Sequence, residues 1–99
     1  MKNHSQKEWF FYWIEMSYFV YVLRSIDHHR NYVGFTTDVQ IRVQQHNSGQ
    51  TKSTKPYKPW RLLFYETFST KKEALDREKF LKSGQGRDLV RRFMEEESS

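Results

Sequence analysis

The chain of 99 residues is long enough for one domain with a single modest core. It has no cysteine, which excludes a disulfide framework and a thiolate zinc site and fits a reducing, cytoplasmic location. Its net charge of +5 favours a polyanionic partner such as nucleic acid, and its 17% of aromatic residues indicates a folded chain.

Residues 1–15 differ from the rest of the chain. Six apolar or aromatic residues run from Trp9 to Ile14, which is too short to span a bilayer because that takes about 20 residues. Trp9 and Trp13 are four positions apart, so one helical turn could pack both on the domain or on a partner. We therefore expect no membrane insertion, and we regard this segment as a candidate contact for a protein partner.

Two apolar segments then predict a β-hairpin. Tyr18–Leu23 carries no charge and mixes aromatic with β-branched residues, which is typical of a central strand buried on both faces. Asn31–Thr36 predicts the second strand, and Gly34 within it indicates either a bulge or the close approach of another backbone or a ligand. The hairpin would hold Tyr21 and Tyr32 side by side.

A helix follows the second strand. Thr37 or Asp38 can cap its start, and the pattern continues to about Asn47. Arg42 and His46 are four positions apart and therefore lie on one stripe of the helix. An ion pair between Asp38 and Arg42 is the structural alternative for this arginine.

A basic loop and a third strand come next. Residues 50–59 contain prolines, hydroxyl side chains and three lysines, Lys52, Lys55 and Lys58. Lysines and hydroxyls suit contacts with phosphate, although a solvated connector would have the same composition. The apolar stretch Trp60–Phe68 predicts the third strand.

The next helix places a carboxylate on its apolar side. Thr70 and Glu73 match a capping box at its start. Glu78 falls on the apolar stripe of this helix, where a carboxylate is costly unless it has a partner. It could pair with Arg42 or Lys82 for structure, or it could hold a metal ion.

The chain ends in a basic segment and an acidic tail. Gln85–Phe93 predicts a short third helix or turn, which carries Arg87. Met16 directly precedes the first strand. We therefore expect an N-terminal extension that is disordered or a short helix, a functional domain over 16–95 and a frayed tail over 96–99.

Five polar residues of these elements could together hydrolyse a phosphodiester. An arginine can stabilise charge on the phosphate, and a histidine or a tyrosine can take a proton from water. One carboxylate can hold a Mg²⁺ ion that also binds the substrate phosphate. Each residue also has a structural explanation, since paired strand tyrosines are usually core and a lone helix histidine is usually on the surface. The five residues are Tyr21, Tyr32, Arg42, His46 and Glu78.

The segments FVY, YVG, TDVQIR, QHNSG and EALDREKFLKSGQGR, in this order, resemble the GIY-YIG nuclease family. The resemblance is greatest to small single-domain bacterial members similar to the nuclease part of the bacterial excinuclease. It covers Tyr18 to about Phe93 and implies an α+β fold, with a three-stranded antiparallel sheet flanked by about three helices. Two positions depart from the pattern of some relatives, since Phe35 replaces a lysine and Val90 replaces an asparagine.

The resemblance implies a metal-dependent DNA endonuclease in repair or recombination, acting on branched, nicked or damaged DNA. Glu78 would hold one Mg²⁺ or Mn²⁺ ion, and Arg42 would be the arginine of the site. Either Tyr32 or His46 would accept the proton from water, and Tyr21 would orient its neighbour. Cleavage would leave a 3′-hydroxyl and a 5′-phosphate.

Contacts with the nucleic acid are expected outside these five positions. The alternative function is a nucleic-acid-binding module without catalysis, which would use the same basic residues. The residues expected to contact nucleic acid are Gly34, Asn47, Lys52, Lys55, Lys58, Lys82 and Arg87.

Overall fold

The structure, a computed structural model, describes residues 17–98. Within these residues it has the α+β architecture expected from the sequence, with three strands, three α-helices and a short 3-10 helix. The elements in chain order are β1 Tyr18–Ser25, β2 Asn31–Thr36, α1 Val39–Asn47, the 3-10 helix Lys55–Tyr57, β3 Trp60–Phe68, α2 Lys71–Leu81 and α3 Gly84–Ser98.

The three strands form one antiparallel sheet in the order β2-β1-β3, which confirms the prediction that the first strand is central. The side chains of β1 alternate between the two faces of the sheet, as in any strand. Val20 and Val22 point to one face, and Tyr21 and Leu23 to the other. All four are fully buried, which explains why this strand is apolar on both faces.

Helices α2 and α3 cover one face of the sheet and enclose the larger core. Phe93 of α3 packs on Phe64 of β3, with ring centroids 4.8 Å apart. The buried residues of this core are Val20, Val22, Val33, Leu63, Ala74, Leu81 and Val90.

Helix α1 covers the opposite face, where a smaller core forms around Tyr21, Leu23 and Trp60. Val39 and Val43 of α1 pack against it, as their spacing of four residues predicts. The arginine and the histidine of α1 are therefore on the same side of the sheet as Tyr21.

Both helix starts predicted from capping residues are confirmed. Asp38 caps α1 by accepting a hydrogen bond from the backbone N–H of Ile41 at 3.0 Å. At the start of α2, Thr70 accepts from the backbone N–H of Glu73 at 3.2 Å and donates its hydroxyl to the Glu73 carboxylate at 2.8 Å. The first of these bonds is half of the predicted capping box, and the second differs from it, because the Glu73 carboxylate accepts from the Thr70 hydroxyl and not from the Thr70 backbone N–H.

The last helix is longer than expected, since α3 continues to Ser98 and takes in residues for which we predicted a frayed end. Two contacts hold its second half on the sheet. Phe93 packs in the core, and Glu97 forms an ion pair with Arg61 of β3 at 2.7 Å. Tertiary contacts of this kind are not visible in a polar tail sequence.

The expected N-terminal extension over 1–15 lies outside the described residues, so its predicted form and partner contact stay predictions. Among residues 17–98, no helix is long and apolar enough to cross a bilayer.

Candidate active site

Tyr21 and Gly34 face each other across the pairing of β1 with β2. A Cβ atom built on Gly34 would lie 2.5 Å from Cζ of Tyr21, closer than real Cβ contacts come. Gly34 therefore leaves the space that the buried phenol of Tyr21 occupies. The sequence left open whether Gly34 marks a bulge or a close approach. The structure shows a close approach, and the approaching group is the side chain of Tyr21. The irregularity of the sheet lies elsewhere, between Val22 and Leu23 in their pairing with β3.

Helix α1 brings Arg42 and His46 to the hydroxyl of Tyr21. Arg42 donates from Nε to the Tyr21 oxygen at 3.3 Å, and the same oxygen lies 2.8 Å from His46 Nε2. Arg42 also donates from Nη1 to the Gln45 side chain at 2.8 Å. Its guanidinium is thus held by Tyr21 and Gln45, and the Asp38 carboxylate caps the helix instead of pairing with it.

His46 is fully buried, and both of its ring nitrogens have partners. Nε2 faces Tyr21, and Nδ1 lies 2.7 Å from the hydroxyl of Thr54. Burial lowers the pKa of His46 to about 4, and the positive charge of Arg42 adds to this shift. The imidazole is therefore neutral at physiological pH.

Tyr21 is also neutral. Burial raises its pKa to about 12, and the hydrogen bond from Arg42 opposes this shift in part. The hydrogen bond to Tyr21 in turn raises the pKa of Arg42, so the arginine keeps its charge. A fixed positive charge thus lies beside a neutral phenol and a neutral imidazole.

Tyr32 lies between this buried group and the surface. Its ring packs against His46 and Tyr21, with centroid distances of 4.8 Å and 6.1 Å. The side chain is half-buried and also lines a cleft of about 420 Å³ at the free edge of β2. Lys82 and Arg87 line the same cleft. Tyr32 therefore connects the buried hydrogen-bonded group to a basic, accessible cleft.

Glu78 lies on α2, one helical turn before Lys82. Its side chain is 20% exposed, and its carboxylate forms an ion pair with Lys82 at 3.3 Å. The sequence offered Arg42 or Lys82 as a structural partner of this carboxylate, and in the structure its partner is Lys82. The sheet separates α2 from α1, so Glu78 is linked to the other four predicted residues through Lys82 and the cleft beside Tyr32.

The sequence profile of the GIY-YIG catalytic domain matches residues 17–92, most of the chain. The chain belongs to the GIY-YIG family. UPF0213 proteins of Staphylococcus aureus strains Mu50 and N315 are each 43% identical to it over 68 residues, which are 68% of this chain and 82% of theirs. A UPF0213 protein of Bacillus halodurans, solved by solution NMR, is 35% identical. That match covers 76% of this chain and 82% of the other, with a TM-score of 0.47.

Membership of the GIY-YIG family makes this chain a member of a nuclease family, whose substrates are nucleic acids and which generally uses a divalent metal. Among residues 17–98, no three histidine or carboxylate side chains gather into a ready-made metal site. A single carboxylate nevertheless suits Mg²⁺, which keeps most of its waters and binds through one or two carboxylates plus a substrate phosphate. Glu78, which is partly buried and paired with a lysine that lines the basic cleft, fits that role.

Two groups of the residues expected to contact nucleic acid are exposed. Lys52, Lys55 and Lys58 are exposed on the loop before β3, as a contact with phosphate requires. The side chains of Lys82 and Arg87 are exposed at the cleft.

Two further positions expected to contact nucleic acid have structural partners. Gly34 is buried beneath Tyr21. Asn47 accepts from the backbone N–H of Trp60 at 2.6 Å and donates to the Trp60 carbonyl at 2.9 Å. Both hydrogen-bonding ends of the Asn47 amide are thus used to join α1 to β3.

Sequence reasoning missed Thr54 and Gln45. Thr54 is 1% exposed, although it lies in a polar segment that reads as a surface loop. No regular spacing links it to His46, so only the observation that the loop folds back under α1 reveals it. Gln45 is three residues after Arg42, and this helical spacing was the one signal that could have identified it.

Proposed function

We propose that this protein is a metal-dependent endonuclease that hydrolyses DNA phosphodiester bonds. The observation that carries the proposal is the convergence on Tyr21 of Arg42 and His46, beside Tyr32 and a basic cleft. A cation fixed next to an accessible tyrosine suits the charge that develops on a phosphate during hydrolysis.

Tyr32 is the better candidate for the proton acceptor. Both ring nitrogens of His46 are occupied by protein groups and the ring is 0% exposed, so a substrate water cannot reach it. Tyr32 is half-buried and opens onto the cleft. We therefore assign to Tyr32, in its phenolate form, the acceptance of a proton from the attacking water, and to His46 a supporting role.

Arg42 would stabilise the phosphate in the transition state. Two of its N–H groups are used by Tyr21 and Gln45, which fixes the plane of the guanidinium. An arginine has further donors in the same plane, and these can bind phosphate oxygens. Water attack with cleavage of the P–O3′ bond leaves a 5′-phosphate and a 3′-hydroxyl.

Glu78 would hold one Mg²⁺ or Mn²⁺ ion, whose charge would help to neutralise the phosphate. The ion would compete with Lys82 for the carboxylate, because the two now form an ion pair at 3.3 Å. Lys82 would then be available, with Arg87, to bind a phosphate of the DNA strand in the cleft.

A nucleic-acid-binding module without catalysis is the second candidate. The three exposed lysines of the loop favour it, because such contacts give binding without any chemistry. This module would bind DNA in a salt-sensitive way that is indifferent to divalent metal and to Arg42→Ala.

The deciding experiment is a cleavage assay on branched, nicked, duplex and single-stranded DNA, with RNA for comparison, during titration with Mg²⁺ or Mn²⁺. We expect cleavage of at least one DNA structure, dependence on metal, and loss of cleavage in Arg42→Ala. Arg91→Ala is the matched control, since Arg91 is exposed and pairs with Asp88 on α3. DNA binding without cleavage under all of these conditions would favour the binding module.

A further inference from the structure

Thr54 is held rigidly beneath α1 although it belongs to a polar loop. Its backbone N–H donates to the Thr51 carbonyl at 3.2 Å, and its own carbonyl accepts from Trp60 Nε1 at 3.0 Å. Trp60 is in turn joined to Asn47, the neighbour of His46, through both backbone groups. The loop is therefore closed at its base, and the Thr54 hydroxyl is fixed 2.7 Å from His46 Nδ1.

The direction of the hydrogen bonds between Tyr21 and His46 follows from the fact that Arg42 can only donate. An arginine side chain only donates, so the Tyr21 oxygen accepts from Arg42 Nε. Within residues 17–98, this hydroxyl also interacts with the Tyr32 side chain and lies 2.8 Å from His46 Nε2. We assign the Tyr21 hydrogen to the 2.8 Å bond with Nε2, which can accept it only if it carries no proton of its own.

The remaining hydrogen bonds agree with that direction. A neutral imidazole with a bare Nε2 carries its hydrogen on Nδ1, and Nδ1 then donates to the Thr54 oxygen. The Thr54 hydroxyl in turn faces the Thr51 carbonyl at 3.3 Å, which can only accept. The reverse direction would protonate Nε2, turn the Tyr21 hydrogen toward Tyr32 and take the Thr54 hydrogen away from the Thr51 carbonyl.

We propose that Thr54 is a positioning residue, which holds His46 in the tautomer protonated on Nδ1 and thereby fixes the hydroxyl of Tyr21 against Arg42. The inference rests on the proposed nuclease function for its effect on rate, while the tautomer itself is independent of that function. The basic loop thus has two roles, because its lysines face solvent while Thr54 supports the site from below.

The direction of these hydrogen bonds determines what Tyr21 and Arg42 can do in the reaction. With its hydrogen committed to His46, Tyr21 offers a lone pair to Arg42 and does not accept a proton from water. Loss of the Thr54 acceptor would favour the other tautomer, in which His46 Nε2 and Arg42 would both donate to the Tyr21 oxygen. The Tyr21 hydrogen would then turn elsewhere, and the guanidinium would lose its fixed position.

The experiment compares Thr54→Val, which keeps the shape and removes the hydroxyl, with Thr54→Ser, which keeps the hydroxyl. Thr67→Val is the matched control at an exposed position of β3. Nitrogen-15 NMR of the imidazoles at pH 7 reports which ring nitrogen carries the hydrogen, and the signals of His46 are assigned by their loss in His46→Asn. The cleavage rate of each protein is measured in parallel.

We expect the unchanged protein to show His46 protonated on Nδ1. Thr54→Val should shift the population toward Nε2 and lower the cleavage rate by about 10- to 100-fold, as losses of orienting partners commonly do. Thr54→Ser should restore both, and Thr67→Val should alter neither.

Three outcomes would overturn the proposal. They are a hydrogen on Nε2 of His46 in the unchanged protein, an unaltered tautomer and rate in Thr54→Val, and failure of Thr54→Ser to restore them. If Thr54→Val does not fold, the unchanged protein and Thr54→Ser still decide the question. Absence of cleavage in every protein, with the tautomer as expected, would count against the nuclease function and leave the hydrogen-bond direction standing.

Discussion

The phenol of Tyr21 lies directly against Gly34, its partner on the neighbouring strand, where no other residue type has room. This contact connects the two triplets by which the sequence resembles the family. The first triplet contributes the buried hydroxyl that Arg42 and His46 contact, and the second contributes the space that the ring needs.

Gly34→Ala should therefore displace Tyr21 from its hydrogen bonds. We expect a loss of about 1–3 kcal/mol in the free energy of unfolding, because the extra methyl group overpacks a closed space. Urea denaturation measures this loss, and the cleavage rate should fall with it. Gly84→Ala is the matched control, since nothing lies within 4 Å of a Cβ at that position. Equal stability of Gly34→Ala and the unchanged protein would contradict the packing argument.

Glu78→Gln should remove metal-dependent cleavage and leave DNA binding nearly unchanged. The substitution keeps the size of the side chain and removes the charge, so a loss of about 100-fold or more in rate is expected if the carboxylate holds the ion. Binding is measured by fluorescence anisotropy in the presence of Mg²⁺. Asp76→Asn, an exposed carboxylate on the same helix, serves as the control. Normal cleavage by Glu78→Gln would show that the metal is held elsewhere.

The stability of the protein should fall in mild acid because of His46. The ordinary pKa of 6.5 falls to about 4 on folding, so between these values the unfolded chain binds more protons than the folded one. The contribution of His46 is complete above pH 6.5 and is lost as the pH falls toward 4, by about 3 kcal/mol.

Urea denaturation at several pH values tests this dependence. His46→Asn removes the titrating ring, so its stability should change less between pH 6.5 and 4 than that of the unchanged protein. The difference between the two curves isolates His46 from carboxylates such as Glu97, whose pKa is lowered by the hydrogen bond from Arg61. Parallel curves would refute the burial argument.

Asn47→Ala should destabilise the fold although Asn47 lies next to the site. The substitution leaves the N–H and carbonyl of Trp60 without their side-chain partner. A loss of about 1–3 kcal/mol is expected, since the Trp60 backbone groups are shielded from water. Asn31→Ala is the control for thermal denaturation, because Asn31 is exposed and its side-chain hydrogen bond to Arg24 is exposed as well. Weaker DNA binding with unchanged stability would instead favour the direct contact predicted from the sequence.

A chain that begins at Met16 should fold and keep any activity. The described elements start at Tyr18, and within residues 17–98 the buried residues of the two cores lie at Val20 or later. Circular dichroism and the cleavage assay compare this chain with the full one. Loss of folding would mean that residues 1–15 belong to the domain.

The fold was largely predictable because its signals are local. The strand of Tyr18–Leu23 is apolar on both faces, and that pattern placed it correctly at the centre of the sheet. Asp38 and Thr70 marked both helix starts through the short-range geometry of capping. The end of α3 was less predictable, because Phe93 and Glu97 are stabilised by partners on a distant strand.

Local sequence patterns were enough to predict the order of the elements, the family resemblance and the placement of Arg42 and His46 on one stripe of a helix. The contacts between side chains became known only from the folded protein. It buried His46 between Tyr21 and Thr54, paired Glu78 with Lys82 and used Asn47 to hold Trp60. This difference arises because helix and strand periodicity specifies only the face on which a side chain lies. Its hydrogen-bond partners depend on how a loop such as residues 48–59 folds back, which no local spacing encodes.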